Sequence, residues 1–249
     1  MNTDRQELIL AVLRKKKKMT ILALARAVNY SESTVRRDIR YMEKINLVKQ
    51  EKGSVSFIKD KLKESPFEFK VRTNKDRKRQ IGKIAVDFIE DYNTIFLDAS
   101  TTALYLAKHL GTFENLRIFT TNLETASLLE KRTKNDVYML GGYVKNGVTN
   151  GLETFKQLSG INFDVAFISS GAISADQGLS ENEETEALLK QRIRENTNEL
   201  IGIIDSSKFN KFYTFNSLQL SNLDYLISDE KPDTHFTEVL EKIQLDLFY

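Results

Sequence analysis

The sequence contains no cysteine and only two histidines among its 249 residues. Without cysteine, a disulfide framework and a thiolate metal site are both excluded. The two histidines are far apart in the chain and do not form the clustered ligand set of a zinc site. We therefore expect a protein without a metal site and without a cofactor.

Long apolar runs are also missing. No stretch approaches the ~18–20 apolar residues of a membrane span. The first residues, MNTDRQELILAVLRKKKK, include the acidic Asp4 and lack the small-residue cleavage site of a secretory signal peptide. These absences favour a cytoplasmic protein with no membrane partner. The chain is 41% hydrophobic, enough for at least one sizeable core, and its length suits one or two domains.

Basic and acidic residues are unevenly distributed. Residues 1–79 contain 22 Lys and Arg against 10 Asp and Glu, whereas the rest of the chain contains 15 against 25. A basic end joined to an acidic body indicates that the N-terminal end meets a polyanion such as DNA. A solvated basic surface is the alternative, and charge alone does not separate the two.

The first sixty residues have the pattern of three short helices followed by a hairpin. Residues 3–13 and 21–28 carry apolar side chains at helical spacing. Farther on, short strands predicted at 47–50 and 54–58 are joined by a tip that contains Lys52. This order is typical of a helix-turn-helix domain with a basic wing.

The third helix, predicted to begin after its N-cap Ser31, carries the strongest functional signal. Val35, Ile39 and Met42 fall on one face and form its buried stripe. Its other faces carry short hydroxyls in the first turn and arginines one turn later. Hydroxyls at a helix N-terminus hold phosphates, and arginine bonds guanine edges, as in a recognition helix in the major groove. The predicted DNA-binding residues are Ser31, Ser33, Thr34, Arg36, Arg37, Arg40 and, in the wing, Lys52.

A plain three-helix packing module is the alternative, but the order of elements is more specific than that. The stretch Ser31-Glu32-Ser33-Thr34-Val35-Arg36-Arg37-Asp38-Ile39 resembles the recognition-helix motif of the DeoR family of bacterial regulators. The resemblance implies a winged helix-turn-helix domain in residues 1–58 that binds double-stranded operator DNA. The wing departs from the family pattern, because Lys49-Gln50-Glu51-Lys52-Gly53-Ser54 stands where the family often has Arg-x-His-Gly-Gly-Ala.

The pattern changes beyond the N-terminal region. Residues 59–75 are polar and basic, contain Pro66 and lack steady periodicity, which predicts an interdomain linker. From residue 76 onward helical segments alternate with short apolar runs. The predicted strands are 94–98, 117–121, 137–140, 164–169, 200–205 and 225–228. This alternation predicts an α/β domain in residues 76–249, with a mostly parallel sheet covered on both faces.

Ligands of such sheets bind beyond the C-terminal ends of the strands, so the residues there are candidate site residues. The first strand leads into a helix whose N-terminus offers free N–H groups to a phosphate, although ordinary N-capping is an alternative. Two glycines after the third strand are expected to allow close approach of a ligand. The predicted effector-binding residues are Asp98, Ser100, Thr101, Thr102, Thr121, Asn122, Gly141, Gly142, Ser170, Gly171, Glu186, Lys190 and Lys208.

These strand ends also resemble the DeoR family, so the resemblance runs from about Arg5 to Asp229. The family's signatures occur here as Asp98-Ala99-Ser100-Thr101-Thr102, Thr121-Asn122, Gly141-Gly142, Glu186-Ala187-Leu188-Leu189-Lys190 and Asp205-Ser206-Ser207-Lys208. The resemblance implies a C-terminal domain similar in fold to ribose-5-phosphate isomerase and glucosamine-6-phosphate deaminase. It also implies a sugar phosphate as the effector. Two stretches depart from the family's usual residues, Ala99-Ser100 and Ser169-Ser170-Gly171-Ala172.

We therefore expect a sequence-specific transcriptional regulator, a repressor of carbohydrate-metabolism genes, whose DNA affinity depends on a sugar phosphate. The phosphate would lie on the hydroxyls of residues 100–102, with Lys190 or Lys208 adding charge. Asn122 and Glu186 would bond the sugar hydroxyls. Because helix-turn-helix proteins bind paired half-sites, we expect a homodimer or homotetramer. The closing residues, 235–249, are apolar enough to pack on the body or on a second subunit.

Two other functions fit parts of the sequence. One is a sugar-phosphate isomerase or deaminase with a DNA-binding appendage, for which carboxylates are available. However, Asp233-Thr234-His235 follows the last predicted strand and is expected at the surface, and His109 lies near a helix end. We therefore expect no catalytic residues. The other is a non-specific architectural DNA-binding protein, for which the C-terminal body is larger than the role requires.

Overall fold

The structure is a computed structural model that describes residues 3–58 and 66–249. The chain divides into two compact units, Met1–Thr73 and Asn74–Tyr249. The described part contains no helix with the length and apolarity needed to cross a bilayer.

The first unit is a three-helix domain with a small antiparallel sheet. Its elements in chain order are α1 (Thr3–Lys16), β1 (Lys18–Thr20), α2 (Ile21–Ala27), α3 (Glu32–Lys44), β2 (Val48–Glu51) and β3 (Ser54–Phe57). Strand β3 pairs with both β1 and β2. The stripe Val35, Ile39 and Met42 of α3 is buried in the core of this unit. The predicted helices and hairpin are confirmed, whereas β1 is too short for its periodicity to be recognised.

Part of the segment predicted as an irregular linker is helical. Helix α4 (Phe67–Arg72) follows Pro66, and its Phe69 is buried in the core of the first unit. Proline is favoured at a helix start because its missing N–H would have no intrahelical partner there. The linker residues 59–65 lie outside the described part of the chain.

The second unit is an α/β domain. Its elements in chain order are α5 (Lys75–Ala85), β4 (Thr94–Leu97), α6 (Thr101–Ala107), β5 (Arg117–Thr120), α7 (Leu123–Arg132), β6 (Asp136–Met139), β7 (Tyr143–Lys145), β8 (Val148–Asn150), α8 (Leu152–Leu158), β9 (Phe163–Ile168), β10 (Ala172–Ser174), β11 (Gly178–Glu181), α9 (Glu184–Glu195), β12 (Thr197–Ile203), β13 (Phe215–Leu218), β14 (Tyr225–Ile227), α10 (Thr234–Ile243) and β15 (Asp246–Phe248). Seven strands form one sheet in the order β15-β14-β12-β9-β4-β5-β6, and every pairing in it is parallel.

Both faces of this sheet are buried, as predicted. In the central strand β9, Ala166 and Ile168 belong to one apolar core, whereas Val165 and Phe167 belong to another. Alternate residues of a strand point to opposite faces, so the two cores lie on opposite sides of the sheet. This explains why the strands appear in the sequence as continuous apolar runs. The predicted α/β fold is confirmed.

Six strands of the domain were not predicted. Strands β7 and β8 form a hairpin, and β10, β11 and β13 form a small antiparallel sheet. The sixth is β15, which pairs with β14 at the edge of the main sheet. Of the two placements open for the closing residues, the structure therefore shows the first: Phe236 and Leu240 of α10 are buried in the domain's own core.

Candidate DNA-binding surface and effector site

Hydroxyl groups cluster at the N-terminus of α3. Ser31 caps the helix, because its Oγ accepts a hydrogen bond of 3.3 Å from the Thr34 N–H. The Ser31 Oγ also lies 2.8 Å from the Thr34 Oγ1 and 3.1 Å from the Ser33 Oγ. The exposed Ser33 and the half-buried Thr34 therefore lie beside the free N–H groups of the helix terminus, as a phosphate-binding surface requires.

The three arginines predicted to contact DNA are all exposed on α3, but they are not equivalent. Arg36 is paired with Glu32 one turn earlier, with its Nε 3.0 Å from the carboxylate oxygen. Among the described residues, no ion pair holds Arg37 or Arg40. These two guanidinium groups are therefore the ones most available to phosphates and base edges.

The wing carries charges of both signs. Lys52 is exposed at its tip and adopts a left-handed backbone conformation with φ +43°. The Glu51 carboxylate lies 2.6 Å from the ammonium of Lys49 and 3.6 Å from that of Lys18. The hydrogen bond from Lys49, and then the positive charges of Lys49 and Lys18, lower the pKa of Glu51. The positive charge of this hairpin is therefore partly compensated by Glu51.

A buried ion pair joins α3 to α1. Asp38 is fully buried, and its carboxylate accepts hydrogen bonds from Arg5 Nε at 2.5 Å and from Gln6 Nε2 at 3.1 Å. The hydrogen bond to Asp38 raises the pKa of Arg5, which keeps the pair charged. Sequence reasoning assigned Asp38 no role. Its position three residues after Val35 places it on the buried face of α3, and this was the available signal.

Asp98 joins the ends of two neighbouring strands in the second unit. Its carboxylate accepts hydrogen bonds from the N–H of Ser100 at 2.9 Å and of Ser169 at 2.7 Å, after β4 and β9 respectively. Burial raises the pKa of Asp98, and the nearby ammonium of Lys190 opposes that rise. The carboxylate therefore positions both strand-end loops, which is a structural role for a predicted effector residue.

The turn after β4 leads directly into α6. Ser100 caps this helix by accepting a 3.0 Å hydrogen bond from the Ala103 N–H. Thr101 and Thr102 occupy its first turn and are buried. Their hydroxyls make no hydrogen bond to the described part of the chain. The capping alternative thus applies to Ser100, whereas the two threonines keep free donors.

Three predicted effector residues meet at a carboxylate that sequence reasoning missed, Glu181 of β11. Its Oε1 lies 2.5 Å from the ammonium of Lys190 and accepts a 3.0 Å hydrogen bond from Ser170 Oγ. Its Oε2 accepts a 2.9 Å hydrogen bond from the Gly171 N–H. Burial lowers the pKa of Lys190, but the charges of Glu181, Asp98 and Glu186 outweigh this effect and raise it overall. Lys190 is thus a buried cation already paired within the protein.

Asn122 and Thr121 differ in how their polar atoms are used. The Asn122 side chain caps α7 through the Thr125 N–H at 2.9 Å and also donates to the carbonyl of Ala99 at 3.4 Å. It therefore ties the β5 end to the β4 end. By contrast, the hydroxyls of Thr121 and Thr125 are buried and have no hydrogen-bond partner among the described residues.

The Gly141-Gly142 pair is explained by packing within the chain. Gly142 has φ +150°, and a Cβ added there would lie 2.3 Å from the carbonyl oxygen of Asn150 in β8. The Gly141 N–H donates to the side chain of Gln157 in α8 at 2.9 Å. The close approach that these glycines allow is therefore made by β8 and α8 themselves.

The loop after β12 contains Asp205, Ser206, Ser207 and Lys208. Lys208 is half-buried, and no ion pair within the described residues holds its ammonium. Glu186, in the first turn of α9, is half-buried and lies close enough to Lys190 to raise the pKa of that lysine. Among the predicted cations, Lys208 is therefore the one available to an anionic ligand.

The histidine positions do not form a catalytic relay. Asp233 caps α10 by accepting a 2.9 Å hydrogen bond from the Phe236 N–H, and His235 is exposed, as expected from the sequence. Asp233-Thr234-His235 is therefore a helix start. His109 follows α6 and is half-buried. In the described residues, no group of three or more His, Asp and Glu side chains is placed to hold a metal ion.

Comparisons with known proteins cover both units. The model of the DeoR-like helix-turn-helix domain matches residues 5–61, and that of the DeoR C terminal sensor domain matches residues 73–230. The HTH-type transcriptional regulator GolR of Listeria innocua is 31% identical over 92% of this chain and 91% of its own length. The glycerol-3-phosphate regulon repressor of Escherichia coli is 26% identical over 98% of both chains.

Two solved structures show similarity at low sequence identity. The tetrameric eIF2B-beta2-delta2 complex from C. thermophilum matches with a TM-score of 0.50 and 13% identity, over 97% of this chain and 88% of that chain. Ribose 5 phosphate isomerase A from Neisseria gonorrhoeae matches with a TM-score of 0.40 and 15% identity, over 53% of this chain and 52% of that chain. The two domain matches and the full-length relatives establish that this chain belongs to the DeoR family of transcriptional regulators, with a DNA-binding helix-turn-helix domain followed by a sensor domain.

Proposed function

We propose that the protein represses carbohydrate-metabolism genes and that a sugar phosphate, bound at the C-terminal edge of its parallel sheet, controls its affinity for operator DNA. The observation that carries the sensing half is a set of three buried hydroxyls, on Thr121, Thr125 and Ser228, that have no hydrogen-bond partner among the described residues. Thr121 follows β5, Thr125 lies in the first turn of α7, and Ser228 follows β14, so all three belong to this edge. A buried polar group without a partner costs about 1–3 kcal/mol. Since these three side chains are fully buried, a sugar would reach their hydroxyls only after the strand-end loops shift, and its own hydroxyls would then offset this cost.

The phosphate is proposed to lie on the first turn of α6, where Thr101 and Thr102 keep free hydroxyls, with Lys208 supplying positive charge. The Escherichia coli relative is named for glycerol-3-phosphate, a phosphorylated polyol, which supports this ligand class. Asp98, Ser100, Asn122, Ser170, Gly171 and Lys190 would shape the site rather than bind the ligand, since their polar atoms bond within the protein. Glu186 remains a proposed partner for a sugar hydroxyl.

The DNA-binding half of the proposal rests on the exposed hydroxyls and arginines of α3. Operator binding is proposed to occur in the cytoplasm and as a homodimer or homotetramer, because helix-turn-helix domains read paired half-sites. GolR and the glycerol-3-phosphate regulon repressor are named as regulators, and a catalytic role is not part of the proposal.

Random-sequence selection with the full chain would first give a preferred DNA sequence. That sequence is then titrated with triose, pentose and hexose phosphates, each beside its unphosphorylated sugar. We expect at least one phosphate to change the operator Kd by about 5–150-fold, the usual scale of allosteric coupling, and the parent sugars to have no effect. Thr101→Val and Thr121→Val should abolish the change, and Thr112→Val, at an exposed position, should not. A panel in which no sugar phosphate alters the Kd would disprove the sensing half.

A further inference from the structure

Asn74, the first residue of the sensor domain, is bonded to the loop that follows β12. Its Nδ2 donates to the Asp205 carboxylate at 3.1 Å and to the Ser207 hydroxyl at 3.0 Å. Asn74 adopts a left-handed conformation with φ +51° and gives α5 no side-chain cap, because its amide is directed at the loop. Since the DNA-binding unit ends at Thr73, this loop holds the residue at which the chain enters the sensor domain.

One turn later in α5, Arg77 strengthens the same connection. Its guanidinium donates to the Ser206 hydroxyl, and its Nε lies 3.6 Å from the Asp229 carboxylate, which is nearly fully buried. Gln80 donates to the backbone carbonyl of Asp229 at 3.0 Å. The first two turns of α5 are therefore fixed to the ends of two adjacent strands, β12 and β14.

The N–H and hydroxyl donors of Ser206 and Ser207, which an anion would use, are directed at carboxylates. Asp229 accepts from the Ser206 N–H at 2.6 Å and from the Ser206 Oγ at 2.8 Å. Asp205 accepts from the N–H and the hydroxyl of Ser207. A phosphate group at this loop would compete with both carboxylates for these donors and would be repelled by their charge. It therefore cannot bind there without changing the hydrogen bonds that also hold Asn74 and Arg77.

We propose that Asn74 is the positioning residue that links effector binding at the Asp205–Lys208 loop to the DNA-binding unit. The inference rests on the proposed function for the identity of the ligand, but the link itself is a property of the protein alone. A phosphate on the first turn of α6 that also takes the Ser206 and Ser207 donors beside Lys208 displaces the carboxylates from them, and this changes the acceptors of Asn74. Asn74, where the chain enters the sensor domain, then has different hydrogen bonds with and without the ligand. These two states of Asn74 are proposed to couple the effector site to the DNA-binding unit.

The link is tested without ligand by hydrogen exchange and mass spectrometry on the full chain. Asn74→Gly removes the amide but retains the left-handed conformation. We expect peptides containing the Ser206 and Ser207 amides to exchange about tenfold faster, corresponding to about 1.4 kcal/mol of lost protection. Ser207→Ala should in turn accelerate exchange of the Lys78 amide, which bonds to the Asn74 carbonyl.

The matched control is Asn210→Gly. Asn210 is also left-handed, with φ +57°, and also donates to a carboxylate, that of Asp233, but it lies outside this connection. It should leave both sets of amides at wild-type rates. Wild-type exchange at Ser206 and Ser207 in Asn74→Gly would overturn the link, whatever sugar phosphates do.

A second measurement tests transmission to DNA. The operator Kd of each variant is measured with and without whichever tested sugar phosphate shifts the wild-type Kd. The ratio of the operator Kd with the sugar phosphate to the Kd without it should fall below about twofold in Asn74→Gly. In Asn210→Gly this ratio should stay at its wild-type value. A wild-type Kd ratio in Asn74→Gly would show that Asn74 does not couple effector binding to DNA binding. If no sugar phosphate shifts the wild-type Kd, the proposed function fails, and the exchange result alone then decides the link.

Discussion

Arg5 of α1 and Asp38 of α3 form an ion pair of 2.5 Å in which both side chains are buried. Gln6 binds the second carboxylate oxygen at 3.1 Å, so two residues of α1 hold one residue of α3. The Arg5 guanidinium also lies 5.1 Å from the ring centroid of Tyr30, just before α3 begins. The helix proposed to face DNA is thereby fixed from its buried side.

Removing the acid should destabilise the DNA-binding unit. Asp38→Asn leaves the Arg5 charge buried without its counter-charge, and breaking a buried pair in this way costs about 3–5 kcal/mol. We expect loss of operator binding and unfolding of this unit at a lower urea concentration. Hydrogen exchange of the α3 amides measures that unfolding. Asp4→Asn, which removes an exposed acid from the same helix α1, should change neither. An Asp38→Asn variant with wild-type stability would show that the pair is not needed.

The arginines of α3 should contribute unequally to DNA binding. Arg37→Ala and Arg40→Ala should each weaken binding by about 1–3 kcal/mol. If the lost contact is to a phosphate, the slope of log K against log [salt] should also become smaller by about 1. Arg36→Ala should cost less, because Arg36 is already paired with Glu32. Fluorescence anisotropy at several salt concentrations measures both quantities. Equal losses at all three positions would contradict the ranking.

Glu51→Gln should strengthen binding of the wing to DNA of any sequence. The substitution frees Lys18 and Lys49 from the Glu51 carboxylate, and each new phosphate contact steepens the log K against log [salt] slope by about 0.9. Affinity for non-operator DNA should therefore rise and specificity fall. Glu130→Gln, which makes the same charge change on an exposed face of α7, is the control. An unchanged salt slope in Glu51→Gln would mean that the wing does not reach phosphates.

The sequence predicted the elements that have their own local pattern. The amphipathic stripe of α3, the Ser31 cap and the apolar runs of the parallel strands each arise from neighbours in sequence. The six unpredicted strands of the sensor domain have three or four residues each, too few to show a clear alternation. Strand β15, for example, exists because β14 provides a partner, which no local pattern reveals.

The polar network at the strand ends was harder to predict for a different reason. The sequence identified Ser170, Gly171 and Lys190, but it did not show that Glu181 accepts from all three. Glu181 lies in a stretch with several other acids, and only the tertiary structure distinguishes the buried one. Likewise, the sequence indicated that another group comes close to Gly142, but it did not show that this group is the Asn150 carbonyl.

Replacing a buried hydroxyl without a partner should have opposite effects on stability and sensing. Thr125→Val removes such a hydroxyl at constant shape and should raise the free energy of unfolding by about 1 kcal/mol. Thr149→Val should instead lower it by about 1 kcal/mol, since Thr149 donates a 2.6 Å hydrogen bond to the carbonyl of Leu140. Chemical denaturation without ligand measures both. In operator titrations, Thr125→Val should also weaken the response to sugar phosphate, and a stabilised variant with a full response would remove Thr125 from the site.

His109 should make the protein less stable in mild acid. Burial lowers the pKa of His109, and the charges of Lys83, Lys108 and Arg79 lower it further. The unfolded chain therefore takes up a proton near pH 6.5 that the folded chain takes up only at lower pH. The contribution of neutral His109 to the free energy of unfolding is fully present above about pH 6.5 and is lost as the pH falls through the folded-state pKa of His109.

The acid effect is measured by thermal unfolding between pH 7.5 and pH 5, approximately the range in which histidine titrates. The fall in Tm should be smaller in His109→Gln than in the wild type. His235→Gln, at the exposed N-terminus of α10, should retain the wild-type fall. An identical fall in His109→Gln would assign the acid sensitivity to other groups.

The strand order of the sensor domain has a consequence for how the protein is made. The central strand β9 pairs with β4 from earlier in the chain and with β12 from later, and β14 and β15 join only afterwards. Such a sheet folds slowly because its contacts are distant in sequence. During synthesis, the first unit leaves the ribosome complete while the sheet still lacks strands, and domains fold as units in this order. A newly made chain therefore has a folded helix-turn-helix domain before its sensor domain is complete.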